Sequence, residues 1–157
     1  MSNLILMLAL LGLPLIVVAL MRRWAVWHRA AGAAGLALVF LMTGAGHFFL
    51  TDLLAQMIPP VFPQREFLVL ATGVVELAIA VGLLLPATRR LAGLAAIAVL
   101  IGFLPFNVYA AIAQVPIGGH EWGLSYLLIR IPMQAILIGW AWWFAVRRQN
   151  AAAAGPA

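Results

Sequence analysis

Cysteine is absent from the 157-residue sequence, and its absence excludes several kinds of chemistry. The chain alone cannot form a disulfide, bind a metal through thiolates or use a thiol nucleophile. The sequence also has no glycine-rich phosphate-binding loop, no paired catalytic carboxylates and no nucleophile next to a base. Any redox chemistry in which this chain takes part must therefore draw its electrons from another molecule.

Charged residues are scarce, and lysine is missing altogether. Only 8% of the residues are charged, all nine basic residues are arginines, and the mean hydropathy is +1.12. A water-soluble domain needs roughly a quarter of its residues to be charged, whereas a chain in a bilayer needs charge only at its ends and in its loops. Because the arginines lie between apolar runs, nucleic-acid binding has no support. The sequence predicts a protein surrounded by membrane lipid.

Five apolar runs are long enough to cross a hydrocarbon core of about 30 Å, which takes about 20 helical residues. The predicted spans are 3–21, 30–51, 66–86, 91–113 and 124–146. They predict an all-α transmembrane helical bundle, with an N-terminal helix and basic loop over 1–29, a four-helix core over 30–148 and a disordered tail over 149–157. A cleaved signal peptide is the alternative for the first run, but no basic residue precedes it.

The arginines indicate the orientation of the bundle. They follow the first, third and fifth runs, as Arg22, Arg23, Arg29, Arg89, Arg90, Arg147 and Arg148. The other two connections hold one arginine and three acidic residues: Arg65, Asp52, Glu66 and Glu121. Since basic loops stay in the cytoplasm, the N-terminus is predicted outside and the C-terminus inside.

Polar residues inside the apolar runs all lie at or above the predicted midplane on the outer side. At a rise of 1.5 Å per residue, Glu76 lies about 15 Å deep, Gln134 lies at a similar depth, and Arg130 is one turn above Gln134. Asn107 and His47 lie near the same level, and Tyr109 is closer to the outer surface. The inner half holds mainly aliphatic side chains. The sequence therefore predicts a polar pocket that opens to the extracytoplasmic side.

A carboxylate in hydrocarbon needs a partner, and an arginine on a neighbouring helix can supply one. We expect Glu76 to pair with Arg130, with His47, Asn107 and Gln134 around them, and Glu76 is the candidate proton site. The alternative is a structural polar cluster that fixes helix register without binding a ligand.

The connection between the second and third spans contains Pro59 and Pro60 within an apolar stretch. This stretch is either a lid over the pocket or an interfacial turn that anchors two helices. A metal site is not predicted. His47, His120 and Glu121 have no diagnostic spacing, so they are expected to be solvated or to anchor helices.

Several sequence blocks resemble the DoxX-like family of small bacterial integral membrane proteins. They are GAGHFF (44–49), MIPP (57–60), TGVVELAIAVGLLLPATRRLAG (72–93), FLPFNVYAAI (103–112) and RIPMQAILIGWAWW (130–143). The resemblance covers about residues 30–146 and implies a four-helix core in the bacterial inner membrane, so the first helix is an addition. The residues that match the recurrent blocks are His47, Pro59, Pro60, Glu76, Arg89, Arg90, Pro105, Asn107, Tyr109, Arg130 and Gln134.

The resemblance implies quinone-linked redox or oxidative-stress systems, and distant relatives are assembly chaperones. Three functions remain open. In the first, the chain is an accessory subunit of an oxidoreductase: its pocket binds a quinone without covalent attachment, and a partner protein supplies the electrons. In the second, the chain is an assembly factor whose polar cluster binds a client helix. In the third, it is a small carrier or proton-coupled transporter, which the absence of inverted repeats disfavours. Close packing through small residues also allows a homo-oligomer.

Overall fold

The computed structural model describes residues 2–21 and 24–147, and all regular structure within these ranges is helical. The six α-helices are α1 (Ser2–Leu20), α2 (Trp24–Phe49), α3 (Thr51–Ala55), α4 (Arg65–Leu84), α5 (Arg89–Ile112) and α6 (Leu127–Ala141). A 3-10 helix, His120–Tyr126, precedes α6, and a π-helical turn, Trp142–Val146, follows it. Arg22, Arg23, Arg148 and the predicted tail over 149–157 lie outside the described residues.

Four helical segments in the described ranges are long and apolar enough to cross a membrane: Trp27–Phe49, Arg65–Leu84, Arg89–Ile112 and His120–Val146. They correspond to the last four predicted runs. The described apolar part of α1 is shorter, Ile5–Leu20. The predicted helical bundle, with an additional N-terminal helix, is therefore confirmed at the level of helices. The helix α2 begins at Trp24, before the predicted start of the span at residue 30, and the tryptophan and arginine residues between these positions belong to the same helix.

The helix α2 lies at the centre of the bundle and packs mainly against α1 and α4. Glycines permit the closest approaches, as is usual between helices in lipid. A Cβ atom at Gly35 would lie 2.1 Å from the Leu11 carbonyl oxygen of α1, so the two backbones touch there. Gly82 makes a similar close approach to Ala92, because a Cβ atom added at Gly82 would lie 2.9 Å from the Ala92 Cβ.

The core is aliphatic toward one end of the bundle and polar toward the other end. Leu11, Leu36, Leu83 and Leu137 are almost fully buried in the aliphatic part. The buried polar residues are Glu76, Asn107, His120 and Gln134. Each of these four needs hydrogen-bond partners, because burial of an unpaired polar group is costly.

Pro105 and Pro132 both lie inside helices that continue past them. A proline removes one backbone donor, so a carbonyl oxygen in the preceding turn is left without its usual partner. In α5, the turn before Pro105 also receives a hydrogen bond from another helix, because the Gln134 side-chain amide of α6 donates to the Leu100 carbonyl oxygen. This contact links α5 and α6 in the polar half of the bundle.

Candidate functional site

The close approach of α2 and α4 brings His47 and Glu76 together. A Cβ atom at Gly73 would lie 2.7 Å from the His47 Cβ, and one at Gly44 would lie 3.1 Å from the Glu76 Cβ. A side chain at Gly73 would force this spacing to widen, and one at Gly44 would make an unusually tight contact. In this arrangement, His47 Nε2 lies 3.8 Å from the Glu76 Oε2 atom.

Hydrogen bonding on its other nitrogen fixes the tautomer of His47. The His47 Nδ1 atom lies 2.8 Å from the Val69 carbonyl oxygen and 3.1 Å from the Thr72 hydroxyl. Because a carbonyl only accepts, Nδ1 must carry a proton. In a neutral His47, the lone pair of Nε2 then faces Glu76. A negatively charged Glu76 carboxylate would repel this lone pair. His47 Nε2 is thus the ring nitrogen that faces the Glu76 carboxyl group.

Arg130 does not form the direct pair with Glu76 that the sequence predicts. No Glu76 oxygen lies within 4.0 Å of an Arg130 nitrogen, although the two groups interact electrostatically at longer range. The physical reason is the helix order. The helix α4 packs on α2 and α5, whereas α6 packs mainly on α5 and its flanking helical turns. Depth along the membrane normal, which sequence spacing gives, does not say which helices are neighbours.

Three buried polar atoms at this level lack a hydrogen-bond partner: Glu76 Oε2, Arg130 Nε and Gln134 Oε1. Glu76 and Gln134 are only 4% and 5% exposed, so bulk water does not satisfy them. One of these atoms is a cationic donor and two are acceptors. Buried polar groups are almost always hydrogen-bonded in folded proteins, so these three atoms are exceptions to the usual pattern.

Asn107 bonds to His120, a residue that the sequence predicted to be solvated or to anchor a helix. The His120 Nε2 lies 3.3 Å from Asn107 Oδ1, and His120 Nδ1 lies 2.7 Å from the Ile117 carbonyl oxygen. His120 is only 3% exposed, and its ring packs edge-on against Tyr126. The loop before α6 therefore folds inward over the outer end of α5. The two glycines before His120 were a usable signal, because Gly118 and Gly119 adopt positive φ angles and permit this turn.

Tyr109 is half-buried on α5, two residues after Asn107 and therefore on another face of the helix. In the described chain, no hydrogen bond joins its hydroxyl to the polar cluster.

Among the described residues, no group of three or more histidine, cysteine, aspartate or glutamate side chains is arranged to hold a metal ion.

The predicted lid segment lies beside the outer end of α5. Pro59 is half-buried and Pro60 is exposed, and the Phe62 ring packs at 5.8 Å from the Phe106 ring. The Arg65 guanidinium donates to the Ile58 carbonyl oxygen at 3.5 Å. These contacts hold the segment near the polar cluster. They are compatible with both predictions, an interfacial turn that anchors two helices and a lid.

An open cavity of about 620 Å³ lies elsewhere, between α1 and α2. It is lined by apolar side chains, including Leu13, Val17 and Trp27, and none of the predicted site residues lines it. The polar cluster and this cavity are therefore separate features.

Comparison with other proteins places this architecture in a family. No curated protein and no solved structure matches the chain. Residues 36–145 match the family described as a domain of unknown function, DUF8561. The match includes α4, α5, α6 and all the polar residues of the cluster, and it leaves out α1. Because it covers more than half of the sequence, the chain belongs to the DUF8561 family.

Proposed function

We propose that this chain is a DoxX-like integral protein of the bacterial inner membrane, with its N-terminus outside and its C-terminus in the cytoplasm. Its polar cluster binds the head group of a quinone from the extracytoplasmic side, and the chain acts as an accessory subunit of a redox or oxidative-stress system. The four apolar helices and the positions of the arginines support the membrane location.

The observation that carries the proposal is the set of unsatisfied atoms on Glu76, Arg130 and Gln134. A quinone carbonyl accepts a hydrogen bond, and Arg130 Nε is a buried donor without a partner. The hydroxyl of the reduced form donates, and Glu76 Oε2 and Gln134 Oε1 are buried acceptors without partners. The oxidised head group therefore matches the donor on Arg130, and the hydroxyls of the reduced head group match the acceptors on Glu76 and Gln134.

Reduction of a quinone takes up two electrons and two protons, and the chain can supply only the protons. Its residues carry no haem, flavin or iron-sulfur ligation pattern, so a partner protein must provide the electrons. Glu76 and His47 share a proton that can pass to the ligand and be replaced. In this proposal Arg130 and Gln134 orient the head group, while Glu76 moves a proton at its Oε2 atom.

An assembly factor is the second candidate, and the same unsatisfied atoms support it. A polar side chain on a client helix can hydrogen-bond to Arg130 or Gln134 as a ligand does. The two candidates differ in what remains bound after purification, a quinone or a polypeptide.

The test is extraction of bound quinone from protein purified out of its own membrane, with quantification by mass spectrometry. We expect close to one quinone per chain in the wild type. In Arg130→Met, loss of a hydrogen bond from a charged group costs about 1.5–3 kcal/mol, which predicts a fall in occupancy of about ten-fold or more. Arg65→Met is the matched control, because Arg65 bonds to the Ile58 carbonyl rather than to the cluster, and it should retain the quinone. Equal occupancy in the two variants, or a stoichiometric polypeptide in place of quinone, contradicts the proposal.

A further inference from the structure

Three arginines from three adjoining elements lie at the end of the bundle opposite the polar cluster. They are Arg29 of α2, Arg89 at the start of α5 and Arg147 just after the π-helical turn. The Arg29 guanidinium donates to the Arg147 carbonyl oxygen, and Arg29 and Arg89 are close enough to interact electrostatically. We call these three residues the basic triad.

Glycine contacts hold the basic triad in place. A Cβ atom at Gly32 would lie 2.3 Å from the Phe144 ring, and one at Gly93 would lie 2.7 Å from the Ala145 Cβ. Both α2 and α5 are therefore pressed against the same π-helical turn. Since side chains three or four residues apart share a helix face, Arg29 lies above Gly32 and Arg89 lies above Gly93.

Further hydrogen bonds fix the surroundings of the triad. The Trp140 indole donates to the Gly32 carbonyl oxygen at 2.8 Å, and Arg89 Nε donates to the Leu83 carbonyl oxygen at 3.0 Å. The Arg147 guanidinium lies 4.3 Å above the Trp143 ring. The three elements that carry these arginines are thus held together by a defined framework of helix contacts.

No aspartate or glutamate side chain balances these charges. The chain has four acidic residues, Asp52, Glu66, Glu76 and Glu121, and each lies in the middle or at the opposite end of the bundle. Like charges held together in one region repel each other unless a counter-ion is present. A planar guanidinium forms its strongest hydrogen bonds with phosphate or carboxylate oxygens, often two at a time. The triad is therefore suited to an anion from outside the chain.

The side chains next to the triad are apolar and exposed. Leu85, Leu91, Trp142 and Trp143 are 51%, 71%, 54% and 54% exposed. Each lies within five residues of Arg89 or Arg147 along the chain. A free phosphate or a nucleic acid would leave these apolar surfaces in water, whereas a phospholipid covers them with its acyl chains and brings a phosphate to the arginines.

We propose that Arg29, Arg89 and Arg147 form a binding site for the head group of an anionic phospholipid, with the acyl chains lying over the neighbouring leucine and tryptophan side chains. The inference rests on the membrane location proposed above, but not on quinone binding. An arginine near an anionic lipid surface contributes about a five-fold gain in affinity.

The test is native mass spectrometry of the full chain after exchange into micelles that contain equal amounts of phosphatidylglycerol and phosphatidylcholine. We expect the wild type to retain phosphatidylglycerol in preference to phosphatidylcholine. Arg147→Gln removes one guanidinium but keeps the backbone carbonyl that Arg29 uses, so the fold is preserved and retention should fall about five-fold. Arg65→Gln, with the same charge change at the other end, should retain the lipid as the wild type does.

Two further measurements keep the outcome unambiguous. Arg29→Lys preserves charge but removes the planar fork, and weaker retention in this variant indicates direct phosphate contact rather than general attraction. Excess inorganic phosphate should not displace the lipid, since it lacks the acyl chains. Complete displacement by phosphate, equal retention of the two lipids, or equal losses in Arg147→Gln and Arg65→Gln would overturn the proposal. Arg130→Met should leave lipid retention unchanged, so failure of the quinone site is distinguishable from failure of this site.

Discussion

Replacement of Gly73 by alanine tests the packing that creates the polar cluster. The new Cβ would lie 2.7 Å from the His47 Cβ and 3.2 Å from the Gly44 carbonyl oxygen. Carbon atoms in contact prefer about 3.5–4.0 Å, so α2 and α4 must separate by about 1 Å. Overpacking of this kind costs about 1–3 kcal/mol. The separation also moves His47 Nε2 away from Glu76 Oε2, which are 3.8 Å apart in the wild type.

Gly46→Ala is the matched control for this variant. A Cβ at Gly46 would meet no atom within 4 Å, and the residue lies on the same helix as His47. Both substitutions gain up to about 1 kcal/mol of helix propensity, and this common gain cancels when the two variants are compared. The difference between them therefore reports the α2–α4 contact alone, about 1–3 kcal/mol in favour of Gly46→Ala.

The assay is unfolding of purified protein in mixed micelles, followed by tryptophan fluorescence. At about 2–4 °C per kcal/mol for a chain of this size, the midpoint of Gly73→Ala should lie about 2–12 °C below that of Gly46→Ala. Equal midpoints would refute the reasoning, because they would mean that α2 and α4 are not in close contact at Gly44 and Gly73.

The remaining predictions concern single polar contacts and the outer connection. Glu76→Gln should keep or raise the midpoint of thermal unfolding, because a neutral amide can donate to His47 Nε2 and no buried charge remains. Proton exchange at this position should be lost. A midpoint several degrees lower would contradict this prediction. Gln134→Leu should lower the free energy of unfolding by about 1 kcal/mol, since it removes the bond to the Leu100 carbonyl, and an unchanged value would argue against that bond. Replacing Pro59 and Pro60 by alanine should change the rate of ligand entry more than the unfolding midpoint if the segment is a lid, while unchanged binding with a lower midpoint would indicate an anchoring turn.

The sequence predicted the helices well and the neighbours of the polar residues less well. Apolar runs of about 20 residues define helices directly, and the one-sided placement of polar residues predicted the polar half of the core. The spacing of residues gives their depth but not their direction around the helix axis relative to other helices. For this reason Glu76 was assigned to Arg130, whereas the approach of α2 to α4 places it beside His47.

Two other features depend on contacts between segments that are distant in the sequence. His120 is buried because the loop before α6 turns inward; Gly118 and Gly119 permit that turn, but they do not show what the ring packs against. The basic triad depends on the packing of Gly32 and Gly93 against the π-helical turn. From the sequence, the same arginines indicated only the orientation of the chain, because predicting that they lie close together requires the relative positions of three helical elements.

The most direct test of the central claim is high-resolution density for the protein purified from its own membrane. The account predicts ordered non-protein density that contacts Arg130 Nε together with Gln134 Oε1 or Glu76 Oε2. An Arg130 guanidinium that instead bonds directly to Glu76, with no density between the helices, would contradict it.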